Sequence, residues 1–141
     1  IKMDPGVPAL KQYMPVIDRI FGGDVTPEQM QERAEDLARM RPKDKLVSHV
    51  VTAFATRCPV SIQLFWRLLQ MADGITDIGA ALTLDYHLAM RMIRRGDYIE
   101  GVRAVLVDRD NAPKWSPNSL ALVDKALLDA LFDEDDLSPL C

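Results

Sequence analysis

Apolar residues in this chain recur at intervals of three and four, and almost nowhere do they alternate. Leu46, Val47, Val50, Val51 and Phe54 give the clearest case. That spacing stacks side chains on one face of a helix, so a helix with a buried face is expected from Asp44 to Thr56. Val60 to Met71 carries Ile62, Phe65, Trp66 and Leu69 and is apolar on more than one side. It is expected to be the most buried helix. Thr83, His87, Arg91 and Arg94 recur at helical spacing on the segment that ends near Arg95, and read as its solvated face. The short aliphatic run Val105-Leu106-Val107 follows a helical pattern and is a poor strand candidate.

Punctuation sharpens these elements. Leu10 to Phe21 reads as a first helix, restarted at Pro15 and closed by Gly22-Gly23. Thr26-Pro27-Glu28-Gln29 supplies a cap, a proline in the first turn and early acidic charge. The second helix then runs to about Met40, with Met30, Ala34, Leu37 and Ala38 as a narrow apolar stripe on a polar rod. Thr76 or Asp77 caps the fifth helix, Gly96 ends it, and Asp97 is expected to cap a sixth over Tyr98 to Val107. Val102, Val105 and Leu106 are its expected buried stripe, and Trp115 is expected to be substantially buried at the corner that follows. One or two short helices lie around Leu120 to Phe132, before an acidic end at Asp133, Glu134, Asp135 and Asp136. The fold class predicted is all-α, with residues 1–23 as linker and first helix and residues 24–141 as one helical region. Six or seven such helices either form a bundle of their own or belong to a larger domain. The linker-like opening IKMDPGVPAL, which does not begin with Met, favours the second.

Composition changes this picture little. Of 141 residues 48% are apolar and 27% charged, as in a globular domain. The net charge of −4 gives no general attraction to nucleic acid. No run of about 18 apolar residues marks a membrane span. Cys58 and Cys141 are the only cysteines, too few for a disulfide scaffold.

Candidate chemistry is sparse. Cys58 and His49 sit nine residues apart across a helix break and have no reason to meet as nucleophile and base. No pair of Cys or His has the spacing of a zinc site. Asp108 and Asp110, flanked by Arg109 and Lys114, read as local ion pairs and turn bonds rather than as an acid–base pair. Met71, Met90 and Met92 read as core filler. Arg91, Arg94 and Arg95 form a small basic patch able to meet a phosphate. No catalytic residue and no metal ligand is assigned.

The stretch Glu100-Gly101-Val102, Ala104, Val105-Leu106-Val107, Arg109, Pro113 and Trp115 resembles the C-terminal signature of the crotonase superfamily. Arg103, Asp108, Asp110 and Pro113-Lys114-Trp115 are similar to its 3-hydroxyisobutyryl-CoA hydrolase branch, as are Leu82-Thr83-Leu84-Asp85-Tyr86 and Cys58-Pro59-Val60-Ser61. His87 stands where that resemblance leads one to expect Arg, and Cys58 where it leads one to expect Ser. The likeness extends back to about Tyr13. It implies the helical C-terminal part of a crotonase-type α/β protein whose spiral core lies upstream. In such a protein the core holds the CoA pocket and an oxyanion hole of two backbone N–H groups. The helices would pack on that core, complete the acyl pocket and take part in self-association. The resemblance further implies an acyl-CoA thioesterase of valine breakdown, a mitochondrial location, no cofactor beyond the CoA of the substrate, and Arg109 near the CoA nucleotide. Two alternatives stay open under it: a non-catalytic homologue in a mitochondrial ribosomal small subunit, and another acyl-CoA activity such as hydratase or isomerase.

Overall fold

A computed structural model describes residues 9–133; Cys141 and the acidic run after Asp133 lie outside them. Among the described residues there are seven α-helices: α1 Met14–Phe21, α2 Pro27–Met40, α3 Lys45–Thr56, α4 Pro59–Met71, α5 Ile78–Arg94, α6 Asp97–Val102 and α7 Lys125–Phe132, with short 3-10 turns at Ala9–Tyr13, Ala72–Gly74 and Leu120–Leu122. Among the described residues there is no strand. Two compact units, 1–55 and 56–141, divide the chain.

In the first unit a 3-10 turn, Ala9–Tyr13, passes into α1 at the proline restart. The Thr26 hydroxyl accepts from the Gln29 N–H, and the Gln29 side chain accepts from the Thr26 N–H at 2.9 Å. This capping box satisfies two N–H groups that the helix start would otherwise leave open. Buried Met30, Ala34 and Leu37 on α2 pack in the unit that also buries Val16 and Ile20 of α1. On α3 the Asp44 carboxylate caps the helix through the N–H groups of Leu46 and Val47. Only Val47 of its apolar face is fully buried; Leu46, Val50, Val51 and Phe54 are half-buried.

The second unit is built on α4, α5 and α7. Cys58, Val60, Leu88 and Leu131 form its buried centre, with Leu64, Leu68, Leu84 and Leu128 packed around them. Asp77 caps α5 through the Ala80 N–H, and Asp124 caps α7 through the Ala126 N–H. Arg67 of α4 spans to α7, pairing with Asp129 at 2.6 Å while its guanidinium lies over the Phe132 ring. Helix α4 is not the most buried helix. Phe65 and Leu69 are exposed, because α4 turns Val60, Leu64 and Leu68 to the buried centre and these two residues away from it. Met71, read from the sequence as core filler, is also exposed.

Helix α6 begins at Gly96, whose φ of +89° is a conformation that favours glycine. Asp97 is therefore the first helical residue and not the cap. Its buried carboxylate accepts from Arg95 Nε at 3.1 Å. After Val102 the helix widens into one π-helical turn, Arg103–Val107. The wider turn rotates the expected stripe off the core. Ala104 is fully buried instead, and Val105 and Leu106 are exposed.

Candidate functional site

The corner from Glu100 to Trp115 carries most of the polar organisation of the second unit. Arg103 sits at its centre. Its guanidinium donates to Glu100 at 2.8 and 2.9 Å, to Asp108 at 2.5 Å, to Asp110 at 2.9 Å and to the Ala112 carbonyl at 3.3 Å. A planar fork with five N–H donors suits this convergence as lysine would not. Glu100 also accepts the Lys114 N–H at 2.6 Å. Hydrogen bonds from Arg103 and from that N–H hold the Glu100 carboxyl down at about 2, from an ordinary 4.5. Asp110 is likewise lowered, first by the Ala112 N–H and then by Arg103. The same carboxylates raise Arg103 further. The expected local ion pairs of Asp108 and Asp110 are thus present.

The knot sets the backbone that follows. The Asp108 N–H reaches the Arg103 carbonyl and the Asn111 N–H reaches the Ala104 carbonyl. Between them Arg109 and Asn111 take positive φ values of 57° and 52°. Asparagine tolerates that region; arginine pays about 1–2 kcal/mol for it. The Arg109 side chain is exposed, with one long bond from Nε to the Leu106 carbonyl at 3.5 Å.

Trp115 closes the corner. It is half-buried rather than buried, and its Nε1 donates to the Thr56 carbonyl at 2.9 Å. The indole lies over Gly101, where an added Cβ would stand 3.2 Å from the ring. Glycine at 101 permits this close approach of the ring. Beside the indole a mostly apolar cavity of about 400 Å³ opens, with Cys58, Met92, Tyr98 and Val102 in its wall.

The other sequence candidates separate. His49 is exposed and Cys58 is buried. Arg91, Arg94 and Arg95 do come together, lining one cavity of about 330 Å³ with Leu127, Ala130 and Leu131, but they are engaged differently. Arg95 is engaged by Asp97 and the Ser116 carbonyl, Arg91 points inward, and Arg94 is exposed. Arg91 was expected on a solvated face, yet it is only 9% exposed. Its guanidinium donates to the Leu131 carbonyl at 2.5 Å and to the Asp133 carbonyl, so it caps the end of α7. Periodicity could not reveal this, because the partners are main-chain carbonyls forty residues on. Among the described residues no group of three His, Cys, Asp or Glu side chains is placed to hold a metal ion. No described helix is long and apolar enough to cross a membrane.

The enoyl-CoA hydratase/isomerase family model matches residues 2–132. The chain belongs to the enoyl-CoA hydratase/isomerase family. Members similar to it include the mitochondrial 3-hydroxyisobutyryl-CoA hydrolases of Danio rerio, 29% identical over 91% of this chain and 32% of that protein, and of Gallus gallus, 31% identical over 87% and 30%. 3-Hydroxyisobutyryl-CoA hydrolase 1 of Arabidopsis thaliana is 28% identical over 92% and 37%. The chain therefore spans about a third of the length of these family members. In solved structures it is similar to an enoyl-CoA hydratase from Rhodobacter sphaeroides (23% identity, TM-score 0.78, 94% of this chain and 37% of that one). It is also similar to a carnitinyl-CoA dehydratase from Mycobacterium thermoresistibile (24% identity, TM-score 0.79, 96% and 37%). Those likenesses show the fold: the chain is a helical portion of a crotonase-type enoyl-CoA hydratase/isomerase family protein.

Proposed function

We propose that this chain is the C-terminal helical part of a mitochondrial 3-hydroxyisobutyryl-CoA hydrolase-like thioesterase. The reaction is attack of water on a short branched hydroxyacyl-CoA thioester, releasing CoA and the free acid. The observation that carries the reading is the likeness to named 3-hydroxyisobutyryl-CoA hydrolases over some nine-tenths of the chain. The Arg103 knot and the Trp115 corner support it, since Glu100, Gly101, Arg103, Asp108, Asp110 and Trp115 of the resemblance are the residues that build them. The acyl-transfer groups and the oxyanion hole belong to an upstream crotonase core. Ile99, Val105, Leu106 and Val107, each more than half exposed, supply the apolar face that packs on that core or on a second copy. Arg109 contacts the phosphates of CoA. A strained and exposed arginine fixed by a rigid knot is suited to that task.

The test assays the full-length gene product in parallel for CoA release from 3-hydroxyisobutyryl-CoA and for hydration of crotonyl-CoA. CoA release is expected, with no turnover by residues 1–141 alone. Hydration without CoA release, or turnover by the 141 residues alone, overturns the reading. Arg109→Gln is expected to raise KM for acyl-CoA while leaving that for the acyl-pantetheine unchanged.

A further inference from the structure

A second cavity, of about 380 Å³, runs along α5 between the end of α4 and the end of α7. This is within the size range of small-ligand sites. Its apolar lining is Met71, Ile75 and Leu84, with Phe132 beside Arg91. Its polar lining includes His87 and Arg91, one turn apart on α5 and farther along that helix than Leu84. Arg91 carries a nearly buried positive charge. Two main-chain carbonyls take its N–H groups. Those bonds use two of its five N–H donors. The His87 ring meets the Tyr86 ring edge-on and has no hydrogen-bond partner among the described residues. Asp133 stands at the rim, exposed to water, with its main-chain carbonyl turned to Arg91.

A buried cation is stabilised best by an anion that also hydrogen-bonds to it. From this we infer that the cavity binds a small aliphatic monocarboxylate. The carboxylate meets the spare N–H groups of Arg91 and the imidazole of His87, and the hydrocarbon lies against the apolar lining. The planar fork of a guanidinium matches the two oxygens of a carboxylate. The site is separate from the Trp115 corner and does not depend on which reaction the protein catalyses.

The experiment titrates the full-length gene product with hexanoate, acetate and hexanamide, following ligand-detected NMR and the methyl resonance of Met71. Hexanoate is expected to bind, and hexanamide to bind at least about tenfold more weakly for want of the charge-assisted bonds. Acetate is expected to be weaker than hexanoate because it leaves the apolar lining uncovered. His87→Gln should weaken hexanoate binding severalfold. Ala80→Leu, which fills the cavity wall without touching Arg91, should abolish it while the helical circular dichroism is kept. No hexanoate binding at 10 mM (about 2.7 kcal/mol by the affinity scale), equal affinity for the amide, or unchanged binding in Ala80→Leu each overturns the inference. Equal affinity for acetate would mean an adventitious ion only, and overturns it too.

Discussion

Helix α2 buries Met30, Ala34 and Leu37 and carries on its outer side the exposed pair of Arg39 with Asp36, whereas α6 and its π-helical turn gather three carboxylates on one arginine and leave Ile99, Val105, Leu106 and Val107 in water. The first arrangement is the ordinary outcome for an amphipathic helix whose neighbour lies within its own unit. The second separates shape from burial. Polar bonds around Arg103 set the conformation of the corner, and its aliphatic face is left to a surface that the described residues do not provide.

The contrast breaks most readily at Trp115. Trp115→Ala removes a half-buried indole, its bond to Thr56 and the contact over Gly101. A loss of about 2–3 kcal/mol is expected in denaturant unfolding, below the cost for a fully buried aromatic. A loss near zero would mean that the knot alone holds the corner.

Arg103→Gln removes the cation shared by Glu100, Asp108 and Asp110. Glu100 should then titrate much closer to 4.5 in a carboxyl NMR titration. The sign follows from linkage: a carboxyl lowered by folding contributes stability that is full above its unfolded value. That stability is lost as pH falls from about 4.5 through about 2. The wild-type corner should lose stability across that window, and the variant should lose less there.

Thr26→Ala breaks the capping box of α2 and should cost about 1 kcal/mol, read in thermal unfolding of the first unit. Arg109→Gly has the opposite sign. It relieves the left-handed φ at the knot, offset by the extra freedom of glycine when unfolded. A net gain of up to about 1 kcal/mol is expected by the same measurement.

The difference between the two helices also marks how far the sequence could be read. Thr26, Asp44 and Asp77 act within a turn of their own position, so the starts of α2, α3 and α5 are visible in local spacing, whereas the start of α7 at Asp124 falls inside the looser range Leu120 to Phe132. Gly96 was visible as an end, but the left-handed turn that makes it the start of α6 was not. Burial was harder, because it depends on neighbours distant in sequence. Periodicity put Arg91 on a wet face, but the carbonyls of α7 drew it inward. The apolar surround of α4 was read correctly as composition and wrongly as burial. Phe65 and Leu69 are left 58% and 49% exposed. At the corner the signature residues were legible as a set. The π-helical turn that rotates Val105 and Leu106 outward carries no local sequence signal.

The central claim is that the aliphatic face of α6 and its π-helical turn is written for another surface. Solvent paramagnetic relaxation of methyl groups in the full-length gene product tests it directly, with Met40, at 64% exposure on α2, as the reference. The account predicts that the methyls of Val105, Leu106 and Val107 are strongly protected while that of Met40 is not. Relaxation of all four at the same rate would contradict it.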